Sequence, residues 1–304
     1  MTVKKYIRAA FSAALSLTAF STLAANNSAM LTISQADGTV WQENMSGLLV
    51  VDAQNNFSMV QGSTTTGLFQ NGTFVSAINN AAHPDFWQWS VDAATSVGSW
   101  NWHSSQTVSG GSTSTSNPWM SALSLSNISG HGDPDLSYAF SAVNNNLTSQ
   151  TYTFAVGEAI LPTVGTANNV YADVAGGLTG KGGSTAAISP FGMNTAIQQF
   201  QLSADMGNSF VNAGVDVGPA TSAVGTGTYG TFASNTIAGP TGQTWNYMQL
   251  TSKFTLSANS RASLVGFASV TPVPEPESYA LFLAGLGLMG FMARRRKLAG
   301  DLHI

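Results

Sequence analysis

The sequence predicts an all-β fold: a β-sandwich, jelly-roll-like, of about a dozen short strands, flanked by an N-terminal signal helix and a C-terminal transmembrane helix. Three observations carry that expectation. Helical periodicity is scarce between residues 26 and 270. Short apolar alternations recur there, broken by Gly, Asn, Asp and Ser. Charged residues make up only 8% of the 304-residue chain, against ~25% in an average soluble domain, which excludes a coiled coil or a charge-rich disordered chain. Cysteine is absent, so a disulfide framework, thiol catalysis and Cys-ligated metal sites are excluded.

The predicted strands run in order. They are Leu48–Val51, Thr73–Ile78, Phe86–Val91, Ser99–His103, Met120–Ile128, Leu136–Val143 and Gln150–Val156, then Asn169–Val174, Ile197–Ser203, Ser209–Val217, Thr228–Ala233, Met248–Leu256 and Ala262–Val270. Asn144, Asn145 and Asn146 read as a hairpin turn between Leu136–Val143 and Gln150–Val156. Gln61–Gly67 and Ser109–Asn117 read as long surface loops. A body of this length buries a core without disulfides, and no internal repeat of fixed period is visible.

The charges are sorted by position. Lys4, Lys5 and Arg8 open the chain; Arg294, Arg295, Arg296 and Lys297 stand near its end. Residues 26–277 keep three basic against thirteen acidic residues, a formal charge of −10. So acidic a body repels phosphate backbones, so nucleic acid is not an expected partner.

The ends explain the sorting. Lys4, Lys5 and Arg8 precede an apolar run, Ala9–Phe20, and then the small residues Ser21–Ala25: the order of a secretory signal spanning residues 1–25. At the other end, residues 271–277 hold Pro272, Pro274 and Pro276, which favour an extended, polyproline-like segment. Sixteen uncharged residues, Ser278–Ala293, follow. As a helix they span ~24 Å at ~1.5 Å per residue, somewhat short of a ~30 Å hydrocarbon core, and the long stems of the basic residues narrow the mismatch. The positive-inside rule holds residues 294–304 in the cytoplasm and residues 26–270 outside, the side to which the signal also directs them.

Val273-Pro274-Glu275-Pro276-Glu277, the apolar stretch Tyr279–Ala293 and the basic run Arg294–Lys297 together resemble the PEP-CTERM sorting signal of Gram-negative bacteria. The resemblance implies recognition by an exosortase, a polytopic membrane processing enzyme. It also implies cleavage near Pro274, Glu275 and Pro276, with Arg294, Arg295 and Arg296 as the basic end of the signal. It further implies a cell-surface or matrix component, in bacteria that secrete exopolysaccharide and form biofilms. Gly130–Tyr138 and Phe210–Asp216 are also similar to stretches in the bodies of such exported proteins, with no activity implied.

Inside the body no catalytic signature stands out. Gly225-Thr226-Gly227-Thr228-Tyr229-Gly230 fits G-x-G-x-x-G, but strand-like and turn-like residues follow it where a helix is needed. Lys181 precedes Gly182 where a P-loop needs Ser or Thr. His83, His103 and His131 lack a second His at ligand spacing, and no G-x-S-x-G elbow occurs. The expectation is a non-enzyme.

Two constellations remain. Asp133 and Asp135, in a Gly/Pro turn, are the metal candidates, suited to a hard cation such as calcium; the alternative is an Asp-Pro turn whose carboxylates cap backbone amides. Trp87 and Trp89 share one strand face, as do Trp100 and Trp102. If the two strands pair, four indoles form one patch. Exposed, it is a glycan-stacking platform; buried, it is sandwich core. The functional expectations are therefore a non-catalytic exported surface or matrix protein, a glycan-binding module using the Trp patch, or a secreted polysaccharide-acting enzyme.

Overall fold

The computed structural model describes residues 27–35, 40–53, 56–62, 67–70, 72–76, 86–103, 121–131, 134–192, 194–273 and 276–300. The expected signal segment, most of both surface loops, Trp119, Asp133, Pro274 and Glu275 lie outside them.

Among the described residues the body is built from β1 (Ser28–Gln35), β2 (Val40–Asn44), β3 (Leu49–Val51), β4 (Phe57–Met59), β5 (Leu68–Gln70), β6 (Thr73–Val75) and β7 (Phe86–Val91). Next come β8 (Gly98–His103), β9 (Ser121–His131), β10 (Asp135–Asn144), β11 (Gln150–Val164), β12 (Asn168–Gly180), β13 (Thr185–Pro190) and β14 (Gln198–Ser203). β15 (Val211–Asn212), β16 (Thr221–Val224), β17 (Thr226–Ala233), β18 (Ile237–Ala238), β19 (Trp245–Leu256) and β20 (Ser260–Pro272) complete it, and helix α1 (Pro276–Gly300) follows.

The strands form two antiparallel sheets. The eight-stranded sheet runs β15-β14-β19-β11-β1-β2, with β13 and β16 attached through β19. The twelve-stranded sheet runs β17-β12-β20-β10-β9-β8-β7-β5-β6, with β18 on β12 and β3-β4 on β9. Alternation along each strand decides what faces inward. In β10 the side chains of Leu136, Tyr138, Phe140 and Ala142 are buried, and those between them lie on the outer face. One continuous apolar cluster draws on both sheets. Phe154 of β11 meets both Tyr138 and Phe140 of β10, each at 5.4 Å between ring centroids, so aromatic rings interdigitate across the sandwich.

Two sequence expectations are corrected. Asn144–Asn146 is not a hairpin turn, because β10 and β11 belong to different sheets. The buried Asn144 shares its Nδ2 protons among the carbonyls of Thr148 (2.9 Å), Leu256 (3.2 Å) and Ser257 (3.0 Å). It thereby satisfies backbone groups that would otherwise be orphaned where the chain crosses over. Ser209–Val217 is mostly loop, with only Val211–Asn212 in a strand. There Asp205 accepts from Ser203 Oγ, Ser209 N and Ser209 Oγ at 2.6–2.8 Å, while Asn212 Nδ2 donates to Asp216 at 2.9 Å. These side chains offer the backbone an alternative to a ladder. Glycine-rich Gly225–Gly230 is a turn at Gly225 running into β17, so no helix follows to hold a dinucleotide.

Candidate functional site

The C-terminal segment starts where the sheet stops. β20 lies between β12 and β10, and its register with β12 continues to the pair Asn168–Pro272. One further bond, from Val273 N to the Ala167 carbonyl at 3.0 Å, closes the ladder. Proline then recurs at every second position through Pro276, and a residue without an N–H cannot extend a ladder. The body therefore ends at Val273. Helix α1 opens on Pro276, where the missing N–H is one of the unpaired donors of a first turn anyway. Glu277 falls in the first turn and Arg294–Lys297 in the closing turns, the order that complements the helix dipole.

The helix does not read as part of the core. Leu281, Phe282, Leu283, Leu286, Leu288, Met289, Phe291 and Met292 are each 45–74% exposed. Three of them are consecutive, so no polar side separates an apolar stripe from water. A helix apolar all round belongs in a protein interior or in lipid, not in water. Among the described residues, however, no helix is long and apolar enough to cross a membrane.

The four tryptophans do come together. β7 and β8 pair with Trp87 opposite Trp102 and Trp89 opposite Trp100, which puts all four indoles on one face. That face turns inward: Trp87, Trp100 and Trp102 are buried, and Trp89 packs against the core. Trp100 Nε1 donates to the Val60 carbonyl at 2.8 Å, and its ring meets Trp89 edge-on at 5.5 Å. Gly62 and Gly98 lie against opposite ends of the Trp89 indole, each leaving no room for a Cβ. The exposed stacking platform required by the glycan reading is thus not formed by these residues; burying the large apolar faces of the indoles outweighs displaying them.

Of the two metal candidates, only Asp135 lies among the described residues. Asp135 opens β10 on the outer face, and its Oδ1 is bonded to His131 Nδ1 at 2.8 Å across the β9–β10 pair. Asp133 lies outside the described residues. Among the described residues no group of three His, Asp or Glu side chains is arranged to hold a metal.

A residue that the sequence reading passed over is more unusual. Glu158 of β11 is 1% exposed, and neither of its carboxyl oxygens has a hydrogen-bond partner among the described residues. Its carboxyl sits over Gly130 of β9 and beside the Phe57 ring of β4: a Cβ at Gly130 would overlap both. Burial pushes its pKa up to about 9, with a smaller push from the Asp135 carboxylate. The sequence signal was available: Glu158 is the lone charge inside the apolar run Phe154–Ile160. Through the sheet it also adds to the raised pKa of Tyr247, which is mainly due to burial. Tyr247 folds over Gly157 to reach Ser28 Oγ at 2.6 Å.

Comparison with known proteins assigns one part of the chain. A family model described as the PEP-CTERM protein-sorting motif matches residues 272–297. A search of curated proteins finds no match. The matched residues begin on the last residue of β20 and end on the basic run of α1. The chain thus carries the sorting signal of an exosortase substrate: an exported protein that passes through the membrane and is processed by that membrane enzyme.

Proposed function

We propose that this is a non-catalytic exported protein whose β-sandwich is delivered to the cell surface or extracellular matrix, with α1 as a temporary membrane anchor. One observation carries the reading. The sorting signal is appended at the residue where the sandwich's hydrogen-bonded structure ends, and its apolar helix lies exposed. Among the described residues, removing it costs the core no buried side chain.

Three further points support the reading. The 16 uncharged residues of α1 followed by four cations suit a short span whose basic end stays in the cytoplasm. Processing near Pro274-Glu275-Pro276 would free the acidic body from its cationic end. The aromatic residues that look most like a ligand platform are spent on packing the core, which favours a structural role over binding through them.

The test is made in the native host with two variants, Pro274→Ala/Glu275→Ala and Arg294→Ala/Arg295→Ala/Arg296→Ala. Both should accumulate in the membrane fraction at full mass while the wild type is shortened and released from it. Normal shortening and release of both variants would defeat the proposal.

A further inference from the structure

Glu158 is not alone in lacking a partner. The buried Oδ1 of Asn27 has none either among the described residues. The β1–β11 ladder pairs Ala29 with Val156 and Ser28 with Gly157, so the next step in register sets Asn27 opposite Glu158. Alternation puts both on the inner face, the face of Ala29, Leu31 and Val156. Ionised, Glu158 would leave its two carboxylate oxygens, like Asn27 Oδ1, buried with no donor among the described residues, which burial makes very unfavourable. A single proton on the carboxyl supplies the missing donor.

We propose that Glu158 is held as a neutral carboxylic acid whose O–H donates to Asn27 Oδ1, latching the start of β1 to β11, and that alkali releases this latch. Each described element packed against Glu158 favours the neutral form. β4 contributes the Phe57 ring and β9 contributes Gly130, with His131 beyond it on the outer face. β10 contributes the Asp135 carboxylate, which repels a second negative charge, and β19 contributes Met248 and the Tyr247 phenol. Among the described residues, the cationic side chains of the sandwich are remote. Lys253 is five residues along β19 from Met248, ~17 Å at ~3.3 Å per residue. Arg261 pairs with Val143, at the opposite end of β10 from Asp135, and Lys181 bonds to Asn259 near it.

The pH dependence has a definite direction. The folded-state pKa lies above the unfolded one, 4.5, so folding retains a proton that the unfolded chain gives up. The contribution of this carboxyl to stability is greatest below about 4.5, falls ~tenfold in equilibrium constant per pH unit above it, and levels off once the folded carboxyl itself ionises near 9.

Glu158→Gln replaces the acid with an amide that donates to Asn27 at every pH. In denaturant unfolding of the purified full chain, the wild-type folding constant should drop about a hundredfold more than that of Glu158→Gln between pH 6 and pH 8. Amide protection in β1, taken relative to the base-catalysed intrinsic exchange rate, should fall sharply above pH 9 in the wild type only. Difference infrared spectroscopy of the wild type from pH 7 to pH 10 gives a readout that no variant is needed for: one protonated-carboxyl band should be present at pH 7 and vanish on alkalinisation. Parallel pH profiles for the two proteins would overturn the latch, as would absence of the band at pH 7. Stability lost on chelation and restored by calcium, with no band, would place a cation between the oxygens instead and overturn it equally.

Discussion

Tyr138 bridges the two sheets at the centre of the sandwich, and its hydroxyl offers a direct measure of what that bridge contributes. The hydroxyl donates to Gln198 Oε1 at 2.8 Å and is in hydrogen-bond contact with Ser252 Oγ. Gln198 Nε2 in turn donates to the carbonyls of Asp173 at 2.7 Å and Phe267 at 3.3 Å. Tyr138, Gln198 and Ser252 are all fully buried, and Gly266 leaves the space in which Tyr138 and Gln198 meet. Burial holds the phenol pKa above its ordinary value, so it remains a donor through the neutral range. Tyr138→Phe keeps the ring against Phe154 but leaves Gln198 Oε1 without its donor and Ser252 Oγ without this partner. Each buried polar group so deprived costs ~1–3 kcal/mol, giving a loss of about 3 kcal/mol in all. For a domain of this size that lowers Tm by roughly 10 °C, at ~2–4 °C per kcal/mol. Denaturant unfolding followed by circular dichroism reads it directly. The double variant Tyr138→Phe/Ser252→Ala should recover about 1 kcal/mol, because it removes one of the orphaned groups. A loss below ~0.5 kcal/mol for the single variant, or strict additivity in the double, would refute the bridge as a source of stability.

Two further outcomes follow from close contacts. Gly98→Ala drives a methyl into the six-membered ring of Trp89, so it should cost ~1–3 kcal/mol and alter the near-ultraviolet circular dichroism of the edge-on indole pair; an unchanged spectrum and stability would contradict the packing. Asp205 has its pKa lowered to about 2, first by the Ser203 hydroxyl and then by Ser209, so this loop's bonds are fully present above the unfolded value of 3.8 and are lost as pH falls through about 2. Its carboxyl carbon should titrate near 2 by nuclear magnetic resonance, and a midpoint near 4 would mean that the loop is not closed as described.

Sequence alone went far where alternation was long. Phe86–Val91 is a strand between the predicted bounds, and Leu136–Val143 and Ala262–Val270 each lie within the longer β10 and β20. β11 and β12 extend well past the prediction because Gly157, Ala159, Gly176 and Gly177 dilute the pattern. β4, β5, β16 and β18 have two to four residues, too few for a period to declare itself. β1 alternates, with Ala29, Leu31 and Ile33 inward, yet it is not among the predicted strands, the first of which starts at Leu48. β13 carries two alanines and ends on a proline, which weakens its strand signal. The assignment of strands to sheets was not legible: the triple asparagine has the composition of a hairpin turn, and only the carbonyls gathered around Asn144 reveal a crossover.

The sorting signal was legible because its three parts are local and ordered along the chain. Strand periodicity shows that Trp87 and Trp89 share one face of their strand, and Trp100 and Trp102 one face of theirs, while the pairing of the two strands comes from the structure. Whether that face met water or the core was not legible, since alternation fixes a common face but not which side of the sheet is covered. The lone charge in its apolar run marks Glu158 in the sequence, but its burial needed the fold. A single Glu in an apolar run has the same letters whether its carboxyl reaches solvent or, as here, lies over a glycine between two sheets.

The most direct test of the account is the intact mass of the mature protein isolated from its native host. The mature chain should end close to Pro274-Glu275-Pro276 and lack α1 with Arg294, Arg295, Arg296 and Lys297, the sandwich up to Val273 being whole. A mature form that still carries that basic run would contradict it.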